Sequence, residues 1–342
     1  MRGGPYNQAM LSTTMALAPL SGASWKASPH SSSAHTDPQD YRTSPSDEVI
    51  QVSAPAPQAP ARLPRIAMLV ALCASLGACA TLPGGPVLAR QAGEPITRQN
   101  LAAELPGGDQ CGRLVPLSRQ QADRPTHVTV HGMNGAPDNL QALTNQAAAQ
   151  GYNTMAFVYE DRQCTLRETA RDLAGELAAW RLAHPTRPLR IDAHCMGARI
   201  SLKALSEMGV RAGAVQLNML TPPLGGFALA NTAQLVPRPL ARLFPGTLPG
   251  YDMGSSSDFQ ADLERTTLPG NIKTRIFYGQ RDELIDYTRP VFHQVQQNLR
   301  ASVHYVPDAD HLQVIDEVAR GNFTTRPLPY QPPGSFQAMV SF

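Results

Sequence analysis

The sequence carries little net charge of either sign. Its 29 Lys and Arg residues nearly balance the 27 Asp and Glu residues among 342, and the basic residues are scattered without interleaved aromatics. Because proteins that bind nucleic acid usually present a clustered basic surface, we expect no nucleic-acid partner. Apolar residues make up 42% of the chain, which is enough for one large globular domain or two small ones.

Several patterns that mark active sites are also missing. The chain has no zinc-type cysteine and histidine spacing, no glycine-rich phosphate loop and no Gly-x-Ser-x-Gly, the setting of many catalytic serines. Asp308, Asp310 and His311 lie close together, but two carboxylates and one histidine are a weak metal signal. We therefore expect a site that works without a metal or another cofactor.

No apolar run is long enough to cross a bilayer, which takes about 20 residues. A shorter run lies within "RLPRIAMLVALCASLGAC" (62–79), between two arginines and Cys79, and has the length and positive flank of a secretory signal. The final "LGAC" resembles the bacterial lipobox, whose cysteine receives lipid. The resemblance implies a lipoprotein signal over 62–78, lipidation of Cys79 and a membrane-anchored protein of the bacterial cell envelope. The alternative is a short buried helix.

Residues 1–61 are rich in Ser, Pro, Ala and Gln and show no periodic apolar spacing. Such a segment buries too little apolar surface to offset its ordering entropy, so we predict a disordered extension. Because a signal normally opens a chain, we also expect the true start to lie closer to residue 62.

The chain has five cysteines. Cys73 lies in the predicted signal and Cys79 would carry lipid. Three remain for an oxidising compartment, so at least one stays unpaired within the chain. A disulfide between Cys111 and Cys164 would leave Cys195 free, although spacing alone leaves other pairings and additional free thiols open.

Strand-like and helix-like segments alternate over residues 123–325. Runs rich in β-branched residues predict strands, and amphipathic segments between them predict helices. The predicted strands are 126–132, 152–160, 189–194, 213–220, 273–279 and 302–306. This alternation predicts an α/β fold with a mostly parallel sheet and helices on both faces. Residues 79–122 show little periodicity and are expected to be a tether and an irregular lead-in, and 326–342 a C-terminal tail.

The stretch "AHCMGA" (193–198) follows one of these predicted strands and precedes a predicted helix. Small residues at Ala193 and Gly197 leave room for a strained strand-to-helix turn that pushes the side chain of Cys195 outward. The helix dipole and the free N–H groups of the first turn favour a thiolate there. The alternative is a buried cysteine of no chemical consequence.

Four segments follow predicted strands in a fixed order: "VHGMNG", "AHCMGA", "GQRDELI" and "DADH". Over residues 125–320 this arrangement resembles the α/β-hydrolase superfamily, with cysteine where serine is usual. The resemblance implies Cys195 as nucleophile, Asp282 as acid and His311 as base. Two neighbouring carboxylates could replace Asp282, namely Glu283 and Asp286.

The same resemblance assigns the groups around the nucleophile. The backbone N–H groups of Met133 and Met196 are expected to form an oxyanion hole. His131 and Gly132 belong to the loop that presents Met133, and we expect His131 to brace that loop. His194 is expected to point to the other side of the turn and to be structural.

A proline-rich segment, residues 221–265, interrupts the alternation and is too long for an ordinary connection. We predict an inserted lid, the alternative being a surface excursion. The side chains expected to face the pocket are Phe227, Leu229, Leu235, Leu240, Leu243 and Phe244. The phrase from Asp252 to Asp282 resembles class 2 and PGAP1-like lipases, which implies acyl esters or lipids as substrates.

The sequence therefore predicts a hydrolase that cleaves carboxylic esters or thioesters through an acyl-cysteine intermediate. One alternative is a catalytically inactive hydrolase-fold lipoprotein that acts as a binding protein in the envelope. A thiol acyltransferase is another.

Overall fold

The computed structural model describes residues 94–209, 213–244 and 246–329. The predicted disordered extension (1–61), the predicted signal (62–78) and Cys79 lie outside these residues, as does most of the predicted tail. Over this part of the chain, no helix has both the length and the apolar character needed to cross a membrane.

The described residues form one eight-stranded mixed sheet in the order β1-β3-β2-β4-β5-β6-β7-β8. The strands are β1 Gly112–Pro116, β2 Thr126–Val130, β3 Asn153–Tyr159, β4 Leu189–His194, β5 Val215–Leu220, β6 Ile272–Gly279, β7 Ser302–Val306 and β8 Thr324–Thr325. Strands β2 to β7 run parallel, while β1 and β8 pair antiparallel with β3 and β7 at the two edges. The predicted mostly parallel sheet is confirmed.

Helices join the parallel strands. They are α1 Leu101–Glu104, α2 Gln141–Ala149, α3 Leu166–Ala183, α4 Met196–Met208, α5 Arg238–Ala241, α6 Thr247–Met253, α7 Asp258–Glu264, α8 Pro290–Leu299 and α9 Gln313–Arg320, with 3-10 segments at Pro137–Leu140 and Leu229–Leu235. Helix α3 begins with a capping box, in which Thr165 and Glu168 satisfy each other's backbone N–H groups.

The two faces of the sheet have separate apolar cores. Successive residues of β6 show the division, since Ile276 belongs to the larger core and Phe277 to the smaller one. Helices α3, α4 and α8 cover the larger core, and α2 and α9 cover the smaller. Because side chains alternate along a strand, nearly continuous apolar strands of this kind need helices on both faces.

The expected irregular lead-in over 79–122 is wrong for its later part, because residues 112–116 form the edge strand β1. The acidic side chains of α3 fix this segment: Asp172 accepts the N–H of Cys111 at 2.5 Å, and Glu176 accepts the N–H of Leu114 at 3.2 Å. A disulfide from Cys111 to Cys164 attaches the same segment to the start of α3. These partners are more than 50 residues away, so local periodicity gives no signal for the strand.

The insertion expected over 221–265 contains the 3-10 segment Leu229–Leu235 and helices α5, α6 and α7; we call residues 221–265 the cap. Phe227 lines a cavity beneath it. Four apolar side chains expected to face that cavity are exposed instead: Leu235, Leu240, Leu243 and Phe244. Ala230, Ala233 and Val236 line the cavity instead. The proline-rich sequence has no regular periodicity, so it does not show which side chains face inward.

Candidate active site

Cys195 occupies the sharp turn between β4 and α4. Its backbone has φ 49° and ψ −118°, a strained conformation for a residue with a side chain. The turn is held at the sheet, where the N–H of Cys195 donates to the backbone oxygen of Leu220 at 2.9 Å. The thiol is half-buried, is not part of a disulfide and lines the cavity under the cap.

The small residues of the turn are required by close backbone approach. A Cβ added at Gly197 would overlap the backbone oxygens of Val130 and His131 at the end of β2. Ala193 is fully buried between its neighbouring strands. Close packing therefore explains the small residues on either side of Cys195, as expected.

His311 lies in the loop between β7 and α9 and meets Asp282 from the loop after β6. Its Nδ1 donates to Oδ2 of Asp282 at 3.0 Å. The side chain of Cys195 lies close enough to His311 to raise the pKa of its imidazole. Since Nδ1 is occupied by the carboxylate, Nε2 is the ring nitrogen available to the sulfur. The structure thus brings together the three side chains that the sequence places in distant segments.

The carboxylate of Asp282 is fully buried and fixed at both oxygens. Its Oδ1 accepts the N–H groups of Leu284 at 3.0 Å and Ile285 at 3.3 Å. Its Oδ2 also accepts the hydroxyl of Tyr287 at 2.6 Å.

The two alternative carboxylates do not contact the imidazole of His311. Asp286 accepts hydrogen bonds from the backbone N–H and the hydroxyl of Thr288, and Glu283 lines the mouth of the cavity.

The electrostatics of the site favour a charged imidazole. Burial alone would lower the pKa of His311, but the hydrogen bonds with Asp282 and Cys195 and the charges of both partners raise it to about 10. Burial alone would raise the pKa of Asp282, but its hydrogen bonds from His311 and Tyr287 lower it. The arrangement therefore holds an imidazolium beside an ionised carboxylate.

His194 does not point away from the site as expected. Its ring lies 4.9 Å from that of His311, between ring centroids, and it lines the same cavity. Its Nε2 donates to the backbone oxygen of His311 at 3.1 Å. Burial, and next the charge of His311, lower the pKa of His194 to about 4, so it stays neutral at neutral pH. His194 therefore holds the backbone of His311 in place and does not replace His311 as the expected base.

The loop after β2 approaches the turn closely. A Cβ added at Gly132 would lie 3.1 Å from Cβ of Cys195 and 2.9 Å from Nδ1 of His194. His131 braces this loop as expected, because its ring stacks on Tyr159 with centroids 4.1 Å apart and its Nδ1 donates to the backbone oxygen of Gly132 at 2.9 Å. Burial lowers the pKa of His131, so its ring is neutral.

The two expected oxyanion donors belong to segments that adjoin the thiol. Met133 follows Gly132 and lines the cavity. Met196 is the first residue of α4, where a backbone N–H has no partner within the helix.

The segment between β3 and α3 clamps both the loop after β2 and the cap. Asp161 accepts the backbone N–H of Asn134, and Arg162 donates to Oδ1 of Asn134 at 2.8 Å. The backbone oxygen of Arg162 accepts the N–H of Gly246 in the cap at 3.0 Å. The disulfide from Cys164 to Cys111, one of the pairings that the sequence leaves open, anchors the end of this segment.

The cavity that contains the thiol has a volume of about 1080 Å³. Most of its apolar lining comes from the cap: Phe227, Ala230, Ala233, Val236, Gly250 and Met253. Charged side chains from other segments also line it: Asp161, Arg162, Arg281, Glu283 and Asp310. A molecule with both apolar and polar parts matches this lining.

Arg199, one turn along α4 from Cys195, joins the cap to α4. Its fully buried guanidinium donates to the backbone oxygens of Asp252 at 2.9 Å, Met253 at 3.2 Å and Pro223 at 3.4 Å. Burial lowers the pKa of Arg199 to about 10, which still leaves it charged at neutral pH.

Within the described residues, the metal-type donors that lie within 4.8 Å of one another belong to Cys111, Cys164 and Glu168. The two sulfurs are bonded to each other, so they are not free to bind an ion. Asp308, Asp310 and His311 do not form such a cluster.

Three residues of the site carry no sequence signal that we recognised. Tyr287 lies in a polar loop without periodicity, and Arg199 lies in a helix whose periodicity predicts only burial. His194 precedes Cys195, and the direction of its side chain depends on the strained backbone of Cys195. Only the position of Asp282 and His311 after strand ends pointed to the partners of the thiol.

No family model matches this sequence, and no curated protein matches it. Among similar solved structures, an esterase of Pyrococcus furiosus has a TM-score of 0.44 and 15% identity over 61% of this chain and 87% of that chain. A Bacillus licheniformis lipase has a TM-score of 0.43 and 16% identity, over 61% and 94% of the two chains. An α/β-hydrolase enzyme from the metagenome of Mar Chica lagoon sediments has a TM-score of 0.43 and 16% identity, over 62% and 92%.

Similarities at these levels decide nothing about activity. The parallel core of the sheet, its strand order and the strand–turn–helix at Cys195, followed along the chain by Asp282 and His311, identify the α/β-hydrolase fold.

Proposed function

We propose that this chain is a hydrolase that cleaves carboxylic esters or thioesters through an acyl-cysteine intermediate. The observation that carries the proposal is the placement of Cys195 at the sharp turn, lining the cavity and beside His311, whose Nδ1 is hydrogen-bonded to Asp282. A cysteine beside an imidazolium reacts as a thiolate, which is the nucleophilic form of sulfur. The apolar cap wall favours substrates with an acyl chain.

In the first half of the proposed reaction, the thiolate of Cys195 attacks the carbonyl carbon and forms a C–S bond. The carbonyl oxygen becomes an oxyanion, which the N–H groups of Met133 and Met196 stabilise by about 3 kcal/mol each. As the intermediate collapses, the C–O bond of the ester breaks and Nε2 of His311 gives its proton to the leaving alkoxide. The alcohol departs and the acyl group stays on sulfur.

In the second half, the neutral imidazole takes a proton from water as the water oxygen attacks the thioester. The C–S bond then breaks, the carboxylic acid leaves and sulfur departs as a thiolate beside the restored imidazolium. One water is consumed, one acid and one alcohol are released, and no oxidant or cofactor takes part. Asp282 keeps the imidazole in one tautomer through both halves.

The test uses a short-chain p-nitrophenyl ester and peptide mass spectrometry. We expect release of p-nitrophenol together with an acyl mass increase on the peptide that contains Cys195, and loss of both in Cys195→Ala and His311→Ala. Asp286→Ala is the matched control, because this nearby carboxylate contacts Thr288 and not His311.

Other outcomes distinguish the alternatives. No acylation and no turnover, with thiol reactivity equal in the parent and His311→Ala chains, would contradict the proposal and favour a binding protein. Acyl transfer to added alcohols or amines in preference to water would favour the thiol acyltransferase.

We also infer that the protein is anchored to a membrane of the bacterial cell envelope by lipid on Cys79. The arginine-flanked apolar run and the "LGAC" sequence support this inference. The disulfide in the folded domain supports it too, because disulfides persist in oxidising compartments. Mass spectrometry of the mature N-terminus tests it: a protein that starts at Met1 and has no lipid on Cys79 would refute the anchor.

A further inference from the structure

Tyr287 is a buried residue that the proposed reaction does not use. Its ring packs against Tyr278 and Phe292, with centroid distances of 5.3 Å to each. Its hydroxyl leaves this aromatic cluster and donates to Oδ2 of Asp282 at 2.6 Å. A hydrogen bond from a neutral donor to a buried carboxylate is among the stronger ones in proteins.

The oxygen that Tyr287 contacts is the same oxygen that receives Nδ1 of His311 at 3.0 Å. The other oxygen of Asp282 is occupied by the N–H groups of Leu284 and Ile285. A carboxylate accepts roughly four hydrogen bonds, so this one has every position filled. It cannot rotate without breaking several hydrogen bonds in a buried place, where each loss is costly.

We propose that Tyr287 is a positioning residue of this site: its hydroxyl holds Oδ2 of Asp282 toward Nδ1 of His311 and draws off part of that oxygen's negative charge. The catalytic purpose of this hydrogen bond rests on the proposed function. Too basic a carboxylate would hold the imidazolium so firmly that Nε2 would be a poor proton donor to the leaving group. The hydrogen bond from Tyr287 weakens the attraction between the Asp282 carboxylate and the imidazolium, and it also fixes the orientation of the carboxylate.

The phenol can act as a donor at every pH of interest. Burial, and next the charge of Asp282, raise the pKa of Tyr287 well above its usual range. Its proton therefore stays on oxygen when the rest of the site titrates.

Several other groups face or surround the imidazole, and each must stay constant in a test. Those in contact with His311 are Asp282, Cys195 and His194. The charged groups around the cavity it lines are Asp161, Arg162, Arg281, Glu283 and Asp310. A variant that removes only the hydroxyl of Tyr287 changes none of these groups.

The experiment is a pH titration of the His311 ring nitrogens by NMR, with the signals assigned from a His311→Gln chain. It is done on the full chain and on Cys195→Ser, which removes a group that raises the pKa of His311 and so brings the titration closer to neutral pH. In Tyr287→Phe, Oδ2 of Asp282 loses a hydrogen bond and presents more negative charge to Nδ1 of His311. The midpoint of the His311 titration should therefore rise by about 0.5 to 1 pH unit.

Tyr278→Phe is the matched control. It removes a hydroxyl from the same aromatic cluster, but that hydroxyl donates to the backbone oxygen of Pro327 at 3.0 Å. The midpoint of His311 should not move in this variant. A shift in Tyr287→Phe smaller than about 0.2 unit, or equal shifts in both variants, overturns the proposal, because a purely structural role predicts one of these results.

If Tyr287→Phe does not fold, Tyr287→3-fluorotyrosine decides the question. It keeps the ring and the hydroxyl and makes the phenol a stronger donor, so the midpoint should fall; an unchanged midpoint overturns the proposal. The titration needs no ester turnover. A chain that hydrolyses nothing can still support the role of Tyr287, and an active hydrolase can still contradict it.

Discussion

Nε2 of His194 donates to the backbone oxygen of His311 at 3.1 Å, so the residue before Cys195 holds the backbone of the histidine beside the thiol. The hydrogen bond couples the turn at Cys195 to the loop after β7, two segments more than 100 residues apart. This hydrogen bond therefore helps to fix the position of the imidazole of His311 relative to Cys195.

His194 should make the fold sensitive to acid. Its pKa is about 4 in the folded chain against 6.5 for an ordinary histidine, mainly because of burial. Below pH 6.5 the imidazole of His194 becomes protonated in the unfolded chain but stays neutral in the folded chain. The free energy of unfolding therefore falls as pH decreases from 6.5 to 4. In His194→Gln this contribution is absent and the decline should be shallower. Urea unfolding across this range measures it; parallel curves would contradict the assignment.

The thiol of Cys195 should depend on His311 for its reactivity. Alkylation by iodoacetamide at pH 6 requires a thiolate, which the imidazolium stabilises. We expect the rate to fall by about tenfold or more in His311→Gln. His293→Gln on α8 is the control, since that ring nitrogen contacts the backbone oxygen of Pro329. Equal rates in all three chains would show that the thiol and the imidazole do not act together.

Gly197 should tolerate no side chain. In Gly197→Ala the new Cβ meets backbone oxygens of Val130 and His131, which cannot move aside as a side chain can. We expect a loss of about 2 to 4 kcal/mol in the free energy of unfolding and a large fall in thiol reactivity. Gly175→Ala in α3 is the control, because it meets nothing within 4 Å and should stabilise the helix by about 0.5 to 1 kcal/mol. Similar stability of the two variants would argue against the close approach.

The disulfide should stabilise the domain substantially. Cys111 and Cys164 are 53 residues apart, and closing a loop of that length removes enough entropy from the unfolded chain to stabilise the fold by about 4 kcal/mol. We expect a deficit of this order in Cys111→Ser/Cys164→Ser by urea unfolding. The reduced parent chain should show a similar deficit. A difference below about 1 kcal/mol would mean that the unfolded chain is already compact between these positions.

The features that the sequence predicts well are the local ones. Strand and helix alternation and the small residues around Cys195 both depend on neighbours within a few positions. The order of Cys195, Asp282 and His311 after strand ends follows from the rule that parallel strands end at one edge of the sheet.

The features that the sequence does not predict depend on distant partners. Strand β1 pairs with β3, and Asp172 and Glu176 of α3 accept N–H groups of Gly112 and Leu114. In the cap, prolines and short turns remove the periodicity that would show which side chains face the cavity. The sequence therefore does not reveal that Leu235 and Leu243 are exposed. His194 depends on a strained backbone that no propensity describes.

The buried guanidinium of Arg199 limits how the cap can move. It joins Pro223 at one end of the cap and Asp252 and Met253 toward the other to the helix that carries Cys195. These two points of the cap are therefore held to the helix that follows Cys195. We expect any opening that admits a bulky molecule to bend the chain between them, so that the entrance widens while Cys195 and His311 keep their places.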